Sequence, residues 1–282
     1  MGIVNVTPDS FSDGGLHLSP ERAADRAGEM IRGGADILDI GAESTRPGSR
    51  PVSAEEERDR LLPVLAAIRE RHPDIPVSVD TYKSEVARAA LEAGADLIND
   101  VRGLTSGMNP ALLADWREHV ANKRDCANLE PSPMARVAAE WKCSVIIMHN
   151  RRKPLYEDFW TDLLMDLNTG ISLAKAAGVA PERIWLDPGF GFGKTPRHNL
   201  EVLKNLHRLR ALGFPVLLGT SRKSTIGRVL NLPVDRRLEG TGATIVWGIA
   251  RGCDMVRVHD VAEMRPYVDM ADAIRRGLDY PE

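Results

Sequence analysis

Eight short apolar runs recur along the chain, and each ends in a polar residue capable of chemistry. G-I-V-N-V brings Asn5, and D-I-L-D-I-G leads to Glu43, Thr45 and Arg46. V-S-V-D ends at Asp80, D-L-I-N at Asn99, S-V-I-I-M-H at His149 and I-W-L-D at Asp187. P-V-L-L-G-T-S-R-K ends at Ser221 and Lys223, and M-V-R-V-H at Arg257 and His259. Helix-like stretches separate the runs, at a spacing of roughly 35 residues per unit. Continuous apolar runs alternating with helices describe buried parallel strands. The expected fold is therefore α/β, a (β/α)8 TIM barrel with its active site at the C-terminal ends of the strands.

Bulk properties agree. The chain has 282 residues, close to the ~250 of one such barrel, so a single domain over 1–282 is expected. Net charge is −3, which gives no global basic field for nucleic acid. An anionic ligand would need local cations. The 3 cysteines are scattered, with no C-x-x-C pair, which argues against a disulfide framework or zinc site and fits a reducing compartment. No apolar run approaches the ~20 residues of a membrane span. The chain opens on M-G-I-V-N-V with no basic segment before it, so no signal peptide and a cytoplasmic location are expected.

Local signals place the elements. Ser19-Pro20-Glu21 reads as a helix start, with proline at the first helical position. Ser53 begins a second helix with capping-box spacing. The stretch from Val101 to Met148 is a long fourth crossover with two helices. Helices are expected over about 158–177, 198–212 and 261–277, and the late strands over 183–187, 215–219 and 254–258.

Asn5, Asp80, Asn99 and Asp187 end four different strands and would converge on one mouth. Two carboxylates and two amides suit a flat heterocycle with a guanine-like or pterin-like 2-amino-4-oxo edge. The same oxygen donors suit Mg²⁺. Thr45, Arg46, Arg222, Lys223, Arg257 and His259 bring cations and donors to that face. Arg257 lies inside an apolar run, so it must meet a carboxylate, a phosphate or a ring face. Ser221-Arg222-Lys223-Ser224 opens a helix beside basic residues, an arrangement that binds anions. D-P-G-F-G-F-G-K-T resembles a phosphate loop, but Pro188 stands where its first glycine should be and Pro196 follows Lys194-Thr195. A glycine-rich turn closing over a flat ligand, with Phe190 or Phe192 against it, fits better. His149 is either a core histidine or part of the site.

The strings N-V-T-P-D-S-F-S-D-G-G, E-S-T-R-P-G, S-V-D-T, I-N-D-V, M-H-N-R, D-P-G-F-G-F-G-K-T, G-T-S-R-K-S and V-R-V-H-D occur in this order over nearly the whole chain. Together they resemble the dihydropteroate synthase family. Departures are Asn150 and Arg152, where the family has Met and Gly, and the longer fourth crossover. The resemblance implies condensation of 6-hydroxymethyl-7,8-dihydropterin diphosphate with p-aminobenzoate in folate biosynthesis, with Mg²⁺ and release of diphosphate. It also implies a sulfonamide target. Carried over by motif, Asn5 would hold Mg²⁺ and the diphosphate. Asp80, Asn99 and Asp187 would read the pterin edge. Lys223 would bond the pterin and border the second substrate. Arg257 would stack on the pterin and, with His259, bind diphosphate, while Thr45 and Arg46 sit over it. Phe11, Pro47, Phe192 and Ser224 would line the p-aminobenzoate site. The implied chemistry is dissociative, and loops 6–18 and 43–52 would order over the substrates.

Two other readings share the barrel: an inactive pterin-binding paralogue and a pterin-dependent methyltransferase domain. On assembly, Tyr267, Met270 and Ile274 have the spacing of one stripe against the barrel. Trp247 and Met264 look surplus to it, an exposed patch for a partner. The resemblance favours a homodimer through the C-terminal helices.

Overall fold

A computed structural model describes residues 1–6, 19–44, 50–126 and 128–277. Eight strands and the helices between them alternate through it, all strand pairings being parallel. They are β1 (Gly2–Asn5), β2 (Leu38–Gly41), β3 (Val77–Asp80), β4 (Leu97–Asp100), β5 (Ser144–Met148), β6 (Ile184–Asp187), β7 (Leu217–Leu218) and β8 (Met255–Val256). β1 to β6 form one sheet in sequence order and β7 pairs with β8. Single bridges, Leu186 to Val216 and Gly2 to Val258, join the two pieces into a closed barrel. Pro215 has no N–H to donate, and its carbonyl accepts from Leu186 N at 2.9 Å, so the seam before β7 is thin. That is why β7 is shorter than the apolar run that announces it; β8 is short as well.

Side-chain caps start the helices as the sequence indicates. Ser19 Oγ accepts from Arg22 N at 3.3 Å to open α1 (Pro20–Arg32), and Ser53 Oγ from Glu56 N at 3.0 Å to open α2 (Ala54–Arg71). Glu56 itself pairs with Arg60. α3 is Ser84–Glu92, and the long crossover holds α4 (Pro110–Ala121) and α5 (Pro133–Glu140). α6 (Phe159–Ala177) follows β5. The helix expected over 198–212 is two pieces, α7 (Pro196–Lys204) and α8 (His207–Arg210). Asn205 separates them: its side chain turns back to Glu201 O at 3.2 Å and Glu201 Oε1 at 2.6 Å, an alternative to continuing the helix.

After β7 come α9 (Ser224–Leu230) and α10 (Leu238–Ala250), and α11 (Val261–Arg276) closes the fold. Here the expected apolar stripe is corrected. Val261, Met264 and Ala271 are buried against Ile245, Ile249 and Val258. Met270 is 58% and Ile274 71% exposed, with Tyr267 half-buried between the faces. Both 261/264/268/271 and 267/270/274 obey helical spacing, so periodicity could not choose between them. Trp247 is half-exposed; its Nε1 donates to Leu203 O at 3.0 Å.

Met264→Ala is expected to lower the free energy of unfolding by about 2–5 kcal/mol in a denaturant titration, the cost of a cavity under the barrel wall. A loss below about 0.5 kcal/mol would place that residue on the surface.

Candidate active site

The carboxyl ends of the strands gather charged groups that are all but dry. Asp39 (β2), Asp80 (β3) and Asn99 (β4) are buried beside the part-buried Arg257, just past β8. Arg257 Nε donates to Asp39 Oδ2 at 2.5 Å and Nη2 to Asp80 Oδ2 at 2.8 Å. Asn99 Nδ2 donates to the same Asp39 oxygen at 3.1 Å. Arg257 thus has the carboxylate partners its place in an apolar run demands. Three oxygens of this cluster, Asp39 Oδ1, Asp80 Oδ1 and Asn99 Oδ1, meet no donor among the described residues. Buried acceptors without donors are costly unless a ligand supplies them.

Burial pushes the Asp80 carboxyl up to about 7; Arg257 opposes the shift and the neighbouring Asp39 adds to it. Burial lowers the Arg257 value, but Asp39 and Asp80 outweigh it, so the net shift is upward and the guanidinium stays charged. On β6, burial raises the Asp187 carboxyl against the Gly189 N–H, which Asp187 Oδ1 accepts at 2.6 Å, and against Lys223. Burial pulls Lys223 down to about 8, with Asp187 opposing. Lys223 Nζ donates to Phe190 O at 2.5 Å and lies 4.2 Å from the centre of the Phe192 ring.

The other sequence candidates divide. Asn5 ends β1, half-buried and paired in register with Gly41. His259 is half-buried, with Nδ1 3.0 Å from Ser221 Oγ. Ser224 is the exposed first residue of α9. Phe192 is half-buried, whereas Phe190 belongs to the core. Arg222 does not present a free cation to an anion: it pairs with Asp260. Lys194 turns inward and Thr195 caps α7, so this segment is no phosphate cradle. Phe11, Thr45, Arg46 and Pro47 lie outside the described residues, as do 7–18 and 45–49 of the two expected substrate loops. The described root of the second loop is anchored: Glu43 meets Lys83 and accepts from Tyr82 Oη at 2.9 Å, and Lys83 also meets Glu57.

Sequence reasoning passed over Asp39, although it stands inside D-I-L-D-I-G. A charge within an apolar run, the signal that singled out Arg257, marks Asp39 equally. It also passed over the network of His149, Lys194, Asp166 and Arg151. A separate cavity of about 460 Å³ opens at the amino ends of the strands, lined by Trp141, Trp185, Lys142 and Arg183. Its carboxylate, Asp96, is paired with Arg69, so that end carries no comparable chemistry.

The chain and its barrel are similar to proteins of known kind. The family described as pterin binding enzyme matches residues 1–259. The Clostridium beijerinckii dihydropteroate synthase is 50% identical over 98% of this chain and 94% of its own. A Clostridium difficile dihydropteroate synthase structure determined in the presence of pteroic acid is similar with a TM-score of 0.85 at 44% identity, covering 98% of this chain and 95% of that one. The Xanthomonas albilineans dihydropteroate synthase with 4-aminobenzoic acid gives 0.85 at 38% identity, covering 99% and 93%. The chain belongs to the pterin-binding enzymes, in their dihydropteroate synthase branch.

The pH dependence of stability follows from Asp80. The unfolded carboxyl releases its proton near 3.8 and the folded one near about 7, so the folded chain holds more protons between them. Asp80's contribution is therefore intact below pH 3.8, is lost as pH rises and is fully lost above about 7. Asp80→Asn is expected to flatten that slope in melting temperatures taken across the range. An unchanged slope would remove Asp80 as its source.

Proposed function

We propose that this site joins 6-hydroxymethyl-7,8-dihydropterin diphosphate to p-aminobenzoate, giving 7,8-dihydropteroate and diphosphate. The observation that carries the reading is the set of oxygens on Asp39, Asp80 and Asn99 that meet no donor among the described residues. The 2-amino-4-oxo edge of a pterin offers N–H groups at the spacing such acceptors need. Asp187 accepts further N–H groups of the ring, and Lys223 donates to its acceptors. Arg257, fixed by two carboxylates, presents its flat face to the bicycle.

The residues then act in order. The carbon–oxygen bond to diphosphate breaks with its electron pair leaving on oxygen. The pterin-methyl cation left behind is stabilised by the carboxyl groups of Asp80 and Asp187 in their charged form, already desolvated and in place. The p-aminobenzoate amine forms the carbon–nitrogen bond and loses a proton. That step needs positioning more than a strong base, and Phe11, Pro47, Phe192 and Ser224 supply it. Thr45, Arg46 and His259 hold the leaving diphosphate. Mg²⁺ would be held by the amide oxygen of Asn5 and by the substrate, since no group of three or more His, Cys, Asp or Glu among the described residues forms an all-protein cage. A site with few protein ligands suits Mg²⁺, which keeps waters and binds substrate phosphates. When bound, it neutralises charge on the diphosphate.

The same reading extends to assembly and location. The exposed face of α11, with Tyr267, Met270 and Ile274 beside Val246 of α10, borders a shallow apolar recess of about 240 Å³. We infer that a second copy covers it in a two-fold homodimer. Free Cys126, Cys143 and Cys253 support a cytoplasmic location. No described helix is long and apolar enough to cross a membrane.

Diphosphate release from the pterin diphosphate, with and without p-aminobenzoate, tests the reaction; release that ignores the amine would refute it. Asp187→Ala and Lys223→Ala should each lower kcat/KM by about 100-fold or more, and wild-type values in both would refute the site. Light scattering at micromolar concentration should give twice the 31.0 kDa chain mass; the mass of one chain would refute the dimer.

A further inference from the structure

Beneath the glycine turn that follows β6 lies a charged network that the proposed chemistry does not use. Lys194 Nζ is 2.7 Å from His149 Nδ1, 3.0 Å from Gly189 O and 3.2 Å from Phe192 O. An ammonium has three donors and no acceptor, and these are three acceptors. Burial pushes the His149 ring down to about 4, so the ring is neutral and Nδ1 is free to accept. Its Nε2 lies 3.3 Å from Asp166 Oδ2, too poorly aligned for a hydrogen bond. Asp166 is in turn held by Arg151 Nε at 2.7 Å.

Titratable groups face Lys194 from every side: Asp187 from β6, Lys223 from the start of α9, Asp166 from α6, Arg151 from the segment after β5, and the imidazole of His198 from α7, whose pKa burial and Lys194 lower. Burial leads these influences and brings the lysine down to about 7.

The turn has no slack. Gly189 has φ 66°, and a Cβ there would fall 1.8 Å from His149 O. A Cβ on Gly191 would fall 2.8 Å from Lys223 Cδ. The turn is thus pressed between the end of β5 and the arm of Lys223. Lys223 rests its ammonium on the Phe190 carbonyl and over the Phe192 ring. Both supports belong to the segment that Lys194 ties down.

We propose that Lys194 is a positioning residue for the pterin pocket: by tying the Gly189 and Phe192 carbonyls to His149, it fixes the turn on which Lys223 rests. This inference depends on the reading of Lys223 as a pterin-binding residue. A buried lysine that served only the stability of the fold would act independently of Lys223.

The two cases separate in a double-mutant cycle. Equilibrium binding of pteroic acid, followed by ligand fluorescence, is measured for wild type, Lys194→Met, Lys223→Met and the double variant. Lys194→Met should weaken binding by about tenfold in the wild-type background and by less than about twofold in the Lys223→Met background. Lys223→Met that weakens binding, with Lys194→Met within about twofold of wild type, overturns the inference alone. Equal losses in both backgrounds also overturn it. Lys223→Met that binds like wild type overturns the pocket reading and the inference together. Should circular dichroism show that Lys194→Met does not fold, Lys194→Gln is judged in the same cycle by the same criteria.

Discussion

The active end of this barrel depends on one largely buried cation, Arg257. A guanidinium without water needs counter-charges, and removing one from a dry cluster strands the other. Arg257 takes its partners from β2 and β3, on the far side of the closing seam. The backbone crosses that seam at the bridge of Gly2 to Val258, through Ile3 N to Val258 O at 2.9 Å, Val258 N to Met1 O at 3.0 Å and Met1 N to Val256 O at 2.9 Å. The ion cluster therefore ties the last strand to the second and third from inside the mouth. It thus reinforces the backbone closure and orients the functional groups.

The same arrangement sets the electrostatics of the pocket. Three acceptor oxygens meet no donor among the described residues, so a ligand with a matching N–H edge meets groups already desolvated and oriented. Burial and the neighbouring Asp39 lift Asp80 to about 7, while burial lowers Lys223 to about 8. Both groups then change charge within reach of neutral pH, where small changes in their surroundings alter which form is present. The glycine turn between Asp187 and Lys194 touches both this pocket, through Lys223, and the second network around His149.

Much of the architecture was legible in the sequence. Eight apolar runs ending in polar residues gave strand positions because a buried parallel strand must be continuously apolar, and its functional residue can sit only where it emerges. Ser19 and Ser53 marked helix starts because an N-cap side chain is a local interaction. What failed was non-local. The stripe of α11 was assigned to Tyr267, Met270 and Ile274 rather than Met264, because two faces share the same period and packing alone chooses. Asp39 was passed over, and Arg222 was taken for an anion ligand although Asp260 neutralises it. A charge shows where a partner is needed, but only the fold says which partner comes.

The central claim is that Asp39, Asp80 and Asn99 present acceptors for the donor edge of a pterin. The most direct measurement changes the ligand rather than the protein. Calorimetric affinities are compared for a 6-substituted pterin and its analogue with a 2-oxo group in place of the 2-amino group. Loss of that donor should weaken binding by about 100-fold or more, because it leaves buried acceptors unpaired. Equal affinity for the two ligands would contradict the account.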